Sequence, residues 1–298
     1  MAAGRAFDEA REMIMRNMIA RETAPALPRA ETMAALPACL AAWLRQMLTG
    51  LLAVLLLSGN VRAEEVLFAS GHPAWPPFSW QQGEQIVGIG PELVEILFND
   101  LGIKVASNAI GNWKRVQLEA EAGRVDLIVS LYQTEERKKY VVYPLTPYFE
   151  DVNVLWVKKG KAFTFNKWDD LIGKNGTALL GESYGQQFDQ FIKDKLTMER
   201  VNKPFQNLQK LEMGRSDYYP FSLYGGEIQV RQLGFDGKIE HLPEVISKEN
   251  VYFGISKKSH FIKYLPQLEA AIEKRRADGT VERLVRKYIA LAAAMPAH

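Results

Sequence analysis

The sequence predicts an α/β protein whose parallel sheets are covered by helices. From Val66 to Ile289 short apolar runs alternate with stretches of helical periodicity, the grammar of strand–helix–strand units. The composition, 47% hydrophobic and 24% charged, is that of a globular chain with a sizeable core. Once the seven basic and five acidic residues of 1–63 are set aside, thirty of each sign remain. A balanced body without a basic run excludes nucleic acid and an anionic membrane surface as natural partners.

Taken in order, Val66–Ala69 reads as the first strand. Pro91 opens a helix with Leu93, Ile96, Leu97 and Leu101 on one face, and Gly102 ends it. Lys104–Ser107 is a short strand, Trp113 to Ala122 a helix closed by Gly123, and Asp126–Ser130 (DLIVS) a buried strand. After an apolar strand at Val152–Val157 the pattern repeats. Ala178–Leu180 is a strand, and Ser183 caps a helix that buries Phe188, Phe191, Ile192 and Leu196. Leu208 and Leu211 mark a further helix. Two amphipathic helices form the tail, the second with Val281, Leu284, Val285, Tyr288 and Ile289 in one stripe.

The N-terminus reads as an address. Met47 to Leu57 is an apolar run preceded by Arg45 and followed by small residues at Val61 and Ala63, the pattern of a secretory signal cleaved after Ala63. A membrane span needs roughly 20 apolar residues, and Arg45, Gln46, Asn60 and Arg62 confine this run to less. Translation is expected to begin at Met33 or another internal Met, with the polar stretch upstream an extension. The single cysteine, Cys39, lies in the same region, so the exported body carries no disulfide and no thiol nucleophile. His72, His241, His260 and His298 lack metal-ligand spacing, and no metal or cofactor is expected.

A series of short motifs then acquires a family. Trp75-Pro76-Pro77-Phe78 follows the first strand, and Val87-Gly88-Ile89 leads into a helix. Gly123-Arg124-Val125-Asp126-Leu127-Ile128, Thr134-Glu135-Glu136-Arg137 and Thr146-Pro147-Tyr148 follow, then Gly181-Glu182-Ser183-Tyr184 and Gly214-Arg215-Ser216-Asp217. Tyr252-Phe253-Gly254-Ile255 and Ala277-Asp278-Gly279-Thr280 complete the set. In this order and spacing the chain resembles the family 3 extracellular solute-binding proteins of ABC importers. The resemblance implies a two-lobed periplasmic-binding-protein (Venus-flytrap) fold that closes on ligand about two hinge crossings. It places lobe 1 at 64–153 with 254–298, lobe 2 at 154–253, and residues 1–63 outside the mature protein. It implies a periplasmic monomer that captures a small carboxylate-bearing solute for an ABC permease and does no chemistry on it.

Site residues follow from the same register. Arg137 stands where the family holds the ligand carboxylate, a role suited to a guanidinium fork. Ser130, at the end of the DLIVS strand, would stand beside it. Trp75 and Trp113 would supply aromatic walls. Gly181, Ser183 and Tyr184 would offer amides and a hydroxyl from the second lobe at a helix N-terminus. Ser222 marks a departure: relatives that bind α-amino acids carry Asp there to pair the ammonium, and Gly90 likewise replaces a helix-entry Asp. Either Glu182 or another acid substitutes, or the ligand is not a standard α-amino acid. Tyr218, Tyr219 and Tyr224 suggest an aromatic, hydroxyl-bearing wall. Two alternatives stand beside the carrier: an enzyme of the cyclohexadienyl dehydratase type, with Glu182 as its candidate acid, and a free-standing ligand-sensing accessory protein.

Overall fold

Local sequence rules set the elements of this computed structural model, which describes residues 65–294 together with Trp43, Gln46 and Met47. The signal-peptide reading, Cys39, Met33, Glu64 and His298 lie outside the described residues. In chain order the elements are β1 (Val66–Ser70), β2 (Ala74–Trp75), β3 (Ser79–Gln82), β4 (Gln85–Val87), α1 (Ile89–Asn99), β5 (Lys104–Ser107), α2 (Trp113–Ala122), β6 (Leu127–Tyr132), β7 (Val141–Val142) and β8 (Phe149–Lys158). Then come β9 (Asn175–Leu179), α3 (Gln186–Lys195), β10 (Thr197–Val201), α4 (Pro204–Glu212), β11 (Tyr219–Ser222), α5 (Leu223–Gln232), β12 (Ile239–Ser256), α6 (Leu265–Ala277) and α7 (Thr280–Ala294).

α2 follows its sequence closely. Asn112 Oδ1 accepts from the Arg115 amide at 2.9 Å, satisfying one orphan donor of the first turn, and Gly123 ends the helix with φ 82°. α1 begins earlier than Pro91, at Ile89, because Gly88 turns the chain with φ 135°. A Cβ on Gly88 would lie 2.5 Å from the Phe78 carbonyl oxygen. The expected cap at Ser183 is corrected: α3 starts at Gln186 behind Gly185, whose φ of 100° disfavours a side chain.

The principal sheet runs β11-β8-β12-β6-β1-β5. β1 pairs in parallel with β5 and β6, as strand–helix–strand units require, whereas β12 runs antiparallel to β6 and β8. β9 and β10 form a second, parallel pair, and β2, β3 and β4 a small antiparallel sheet with no strong period in the sequence. From Glu65 onward the described residues make one compact unit. The boundaries expected at Asn153 and Gly254 fall inside β8 and β12, which are long, paired crossing strands.

Three apolar clusters surround these crossings. One packs α1, α6 and α7 against β1 and β6 through Leu93, Leu97, Ile272 and Leu284. A second gathers Leu155, Val157, Tyr184, Phe188 and Tyr218 around β9 and α3. A third joins α2 to β6 through Trp113, Val116, Ile128 and Leu131. Among the described residues no helix is long and apolar enough to cross a membrane.

Candidate functional site

Members of all three clusters line a cavity of about 30 Å³, room for one or two water molecules. Its walls come from across the chain. His72 lies in the loop after β1 and Trp75 ends β2, Trp113 opens α2, and Leu131, Tyr132 and Arg137 end or follow β6. Asn153 lies on β8, Glu182, Ser183 and Tyr184 follow β9, and Phe221 and Ser222 end β11.

Arg137 is buried in this wall. Its Nη1 donates to the Tyr132 carbonyl at 2.9 Å and its Nη2 to the Gly181 carbonyl at 3.3 Å, and the guanidinium stands 5.4 Å from the centre of the Trp113 ring. The Thr134 hydroxyl accepts from the Arg137 amide, fixing the short turn that carries it. A buried guanidinium held by two neutral carbonyls keeps its full charge available for an anion.

On the facing side Glu182 is buried too. Burial pushes its carboxyl up to about 7, against the downward pull of the Tyr184 hydroxyl, the Leu179 amide, Arg200 and Arg137. Tyr184 donates to Oε2 at 2.8 Å and the Leu179 amide at 3.2 Å. Oε1 faces His72 Nε2 at 3.7 Å. That contact is not an ion pair: burial, reinforced by the Arg137 charge, holds His72 down to about 3, so the imidazole is neutral. The Ala74 amide donates to His72 Nδ1 at 3.0 Å, which makes Nδ1 the acceptor and leaves the proton on Nε2.

Behind Ser222 sits the acid missing from position 222. Ser222 Oγ donates to Asp151 Oδ1 at 2.9 Å, and the Tyr132 hydroxyl donates to Oδ2 at 2.6 Å. Burial raises Asp151 to about 6, opposed by these hydrogen bonds. Asp151 pairs across the crossing strands with Glu249, itself raised to about 7 by burial and by the charge of Asp189.

Of the predicted site residues, Trp75, Trp113, Arg137, Ser183, Tyr184 and Ser222 meet at the cavity. Ser130 does not. Its Oγ lies 2.7 Å from the Tyr148 hydroxyl and 3.4 Å from the Phe78 carbonyl, one pleat deeper than Tyr132. Gly181 lines the adjoining outer groove, where its carbonyl accepts from Gln117 and Arg137. Ser183 donates to Asp189 rather than capping α3. The tyrosine wall is also corrected: Tyr218 and Tyr219 are core residues, and Tyr224 is 39% exposed. Gly90 has a steric reason, since a Cβ there would come within 2.2 Å of Ser130 Oγ and 2.6 Å of the Val129 carbonyl oxygen. Sequence reasoning passed over His72, Tyr132, Asn153 and Phe221.

The cavity opens toward a polar groove of about 430 Å³ that shares Arg137, Glu182 and Ser183 with it and adds Lys114, Lys139 and Lys193. Across it Gln117 Nε2 donates to the Gly181 carbonyl at 3.0 Å, and the Glu135 amide donates to Gln186 Oε1 at 3.1 Å. These contacts hold the two sides of the cleft together. A buried cation, a perturbed acid and aromatic walls in one cleft make a receptor for a small polar molecule.

Comparison with known proteins points the same way. Over 259 residues the chain is 26% identical to the probable amino-acid-binding protein YxeM of Bacillus subtilis, covering 83% of this chain and 94% of that one. It is 28% identical to the L-cystine-binding protein TcyJ of Escherichia coli over 188 residues, 58% of this chain and 70% of the relative. Among solved structures, a Streptococcus pneumoniae amino acid ABC transporter substrate-binding protein bound to L-arginine superposes with TM-score 0.65 at 19% identity, covering 78% of this chain and 98% of that one. A histidine kinase sensor domain with similarity to periplasmic binding proteins matches with TM-score 0.65 at 17% identity, covering 76% and 97%. These likenesses support the two-lobed fold expected from the sequence, and the family model of bacterial extracellular solute-binding proteins, family 3, matches residues 69–290; the chain belongs to that family.

Proposed function

We propose that this protein is exported, loses residues 1–63, and captures a small carboxylate-bearing, amino-acid-like solute for an ABC importer without altering it. The observation that carries the reading is Arg137, a buried guanidinium at the cavity wall beside two indoles. It would take the solute carboxylate in a bidentate pair, with Trp75 and Trp113 against the body of the molecule. A cavity of about 30 Å³ admits such a solute only if the sides part, so capture would proceed by hinge opening and closure about β8 and β12. Residues 64–153 with 254–298 would move against 154–253. The relatives named as amino-acid-binding proteins support this class of ligand and a permease as partner.

The test is a thermal-shift screen of residues 64–298 against amino acids, hydroxy acids and other small carboxylates. A site ligand raises stability by mass action, and Arg137→Ala should abolish the shift. The likeness to a sensor domain supports one second reading, an accessory receptor that presents its loaded form to a signalling partner. Import of the captured solute in cells lacking the gene separates the two.

A further inference from the structure

We propose that His72 and Glu182, one on each side of the cavity, together recognise a neutral group of the solute that both accepts and donates a hydrogen bond, a hydroxyl or a carboxamide next to its carboxylate. The inference rests on the carboxylate reading above and names the chemistry of the group beside it.

The His72 imidazole is the starting point. Nδ1 is committed to the Ala74 amide, so Nε2 carries the hydrogen, and Nε2 is buried at the cavity wall with no hydrogen-bond partner. A buried donor left unsatisfied costs on the order of 1–3 kcal/mol, which a ligand acceptor would recover. Glu182 faces it from the other wall. Oε2 is occupied by Tyr184 and Leu179, whereas Oε1 lies 3.7 Å from Nε2, beyond hydrogen-bond reach. The two walls thus bring one donor and one acceptor to within 3.7 Å of each other.

That pair discriminates among ligand groups. An ammonium suits Glu182 but sets its own N–H groups against the imidazole N–H. A second carboxylate suits His72 but sets oxygen against the Glu182 carboxylate. A hydroxyl accepts from Nε2 and donates to Oε1. A carboxamide does the same with its oxygen and its NH₂. Position 222 adds no ammonium partner, because Ser222 Oγ is engaged with Asp151 and with the Gly225 amide. Asp151 itself holds the Tyr132 and Ser222 hydroxyls. Rejection by unpaired buried groups is the stronger half of such specificity.

Calorimetry on residues 64–298 with five probes tests this: L-lactate, malonamate, L-alanine, malonate and propionate. Lactate or malonamate is expected to bind about tenfold or more tighter than the other three. In His72→Phe, which keeps a ring against Trp113, that preference should fall below about twofold. Far-UV circular dichroism checks that the variant is folded, and the wild-type ranking needs no variant. L-alanine binding as tightly as the favoured probes, or a preference that survives His72→Phe, overturns the inference and leaves the carboxylate reading standing. Failure of all five to bind wild type overturns both.

Discussion

The two walls of the cavity are built on opposite principles. On the β6 side Arg137 is charged and clamped by carbonyls at 2.9 and 3.3 Å, and its turn is fixed by Thr134. On the β9 side Glu182 has one oxygen bonded and one facing the cavity, and its carboxyl is raised to about 7. One wall offers a fixed charge; the other offers a charge that its surroundings can set. A receptor made this way can demand an anion at one end and discriminate finely at the other.

The largest expected effect comes from breaking the fixed wall. Arg137→Ala should cost about 2–5 kcal/mol of binding, since a desolvated ligand anion loses the cation at the cavity wall. Calorimetry reads it directly, with the melting temperature of the free variant as a control. Next is Ser222→Asp, which in the sequence reading restores a counter-charge for an ammonium. Here it places a second carboxylate beside Asp151, 2.9 Å from the present Oγ. Two buried carboxylates cannot both ionise cheaply, so the variant should lose about 3 kcal/mol of stability at pH 7.5 and less at pH 5. Urea unfolding at both pH values measures it; unchanged stability would mean the two acids do not meet.

A smaller effect tests the rigidity of the β6 side. Gly90→Ala drives a Cβ into Ser130 Oγ and the Val129 carbonyl, and overpacking of this kind costs about 1–3 kcal/mol. The adjustable wall is probed most gently, by pH. Asp151 and Glu182 are raised to about 6 and 7 chiefly by burial, Glu249 to about 7 by burial and Asp189. Facing them are Tyr132, Ser222 and Trp75 at Asp151, Tyr184, His72, Arg137, Arg200 and Tyr219 at Glu182, and Tyr132 at Glu249. Raised carboxyls mean that the folded chain holds more protons than the unfolded chain between about pH 4 and 7. Stability is therefore full at the acid end of that window and is lost as pH rises through the folded values. The melting temperature should be higher at pH 5 than at pH 7.5, and Glu182→Gln should flatten part of the difference. His72, held down to about 3, works the other way: below its ordinary value of 6.5 the unfolded chain takes up a proton that the folded chain does not, so it subtracts part of the gain from the three carboxyls as pH falls.

Much of this was legible in the sequence, where local rules suffice. The span of α2 reads as Trp113 to Ala122 closed by Gly123, as found, and β6 is read from its apolar run, offset by a residue or two. Motif register singles out Arg137, Trp75 and Trp113, and all three line the cavity. Ser130 stands off the cavity wall, since alternation gives a face of the strand but not a depth along it. Ser183 lost its capping role to a conformation only Gly185 adopts easily. The His72–Glu182 pair was invisible for a different reason. The two residues are far apart in sequence, and only the closing of the loop after β1 onto the turn after β9 brings them together. Asp151 likewise reads as an ordinary strand acid until β11 sets Ser222 against it.

The central claim, that Arg137 reads a carboxylate, is tested most directly by comparing each acid that stabilises residues 64–298 with its methyl ester. The ester keeps the body of the molecule and removes the anionic charge. The account predicts that the acid raises the melting temperature and the ester does not, and that in Arg137→Ala neither does. An ester that stabilises as well as its acid, or an acid that still binds Arg137→Ala at full strength, would contradict it.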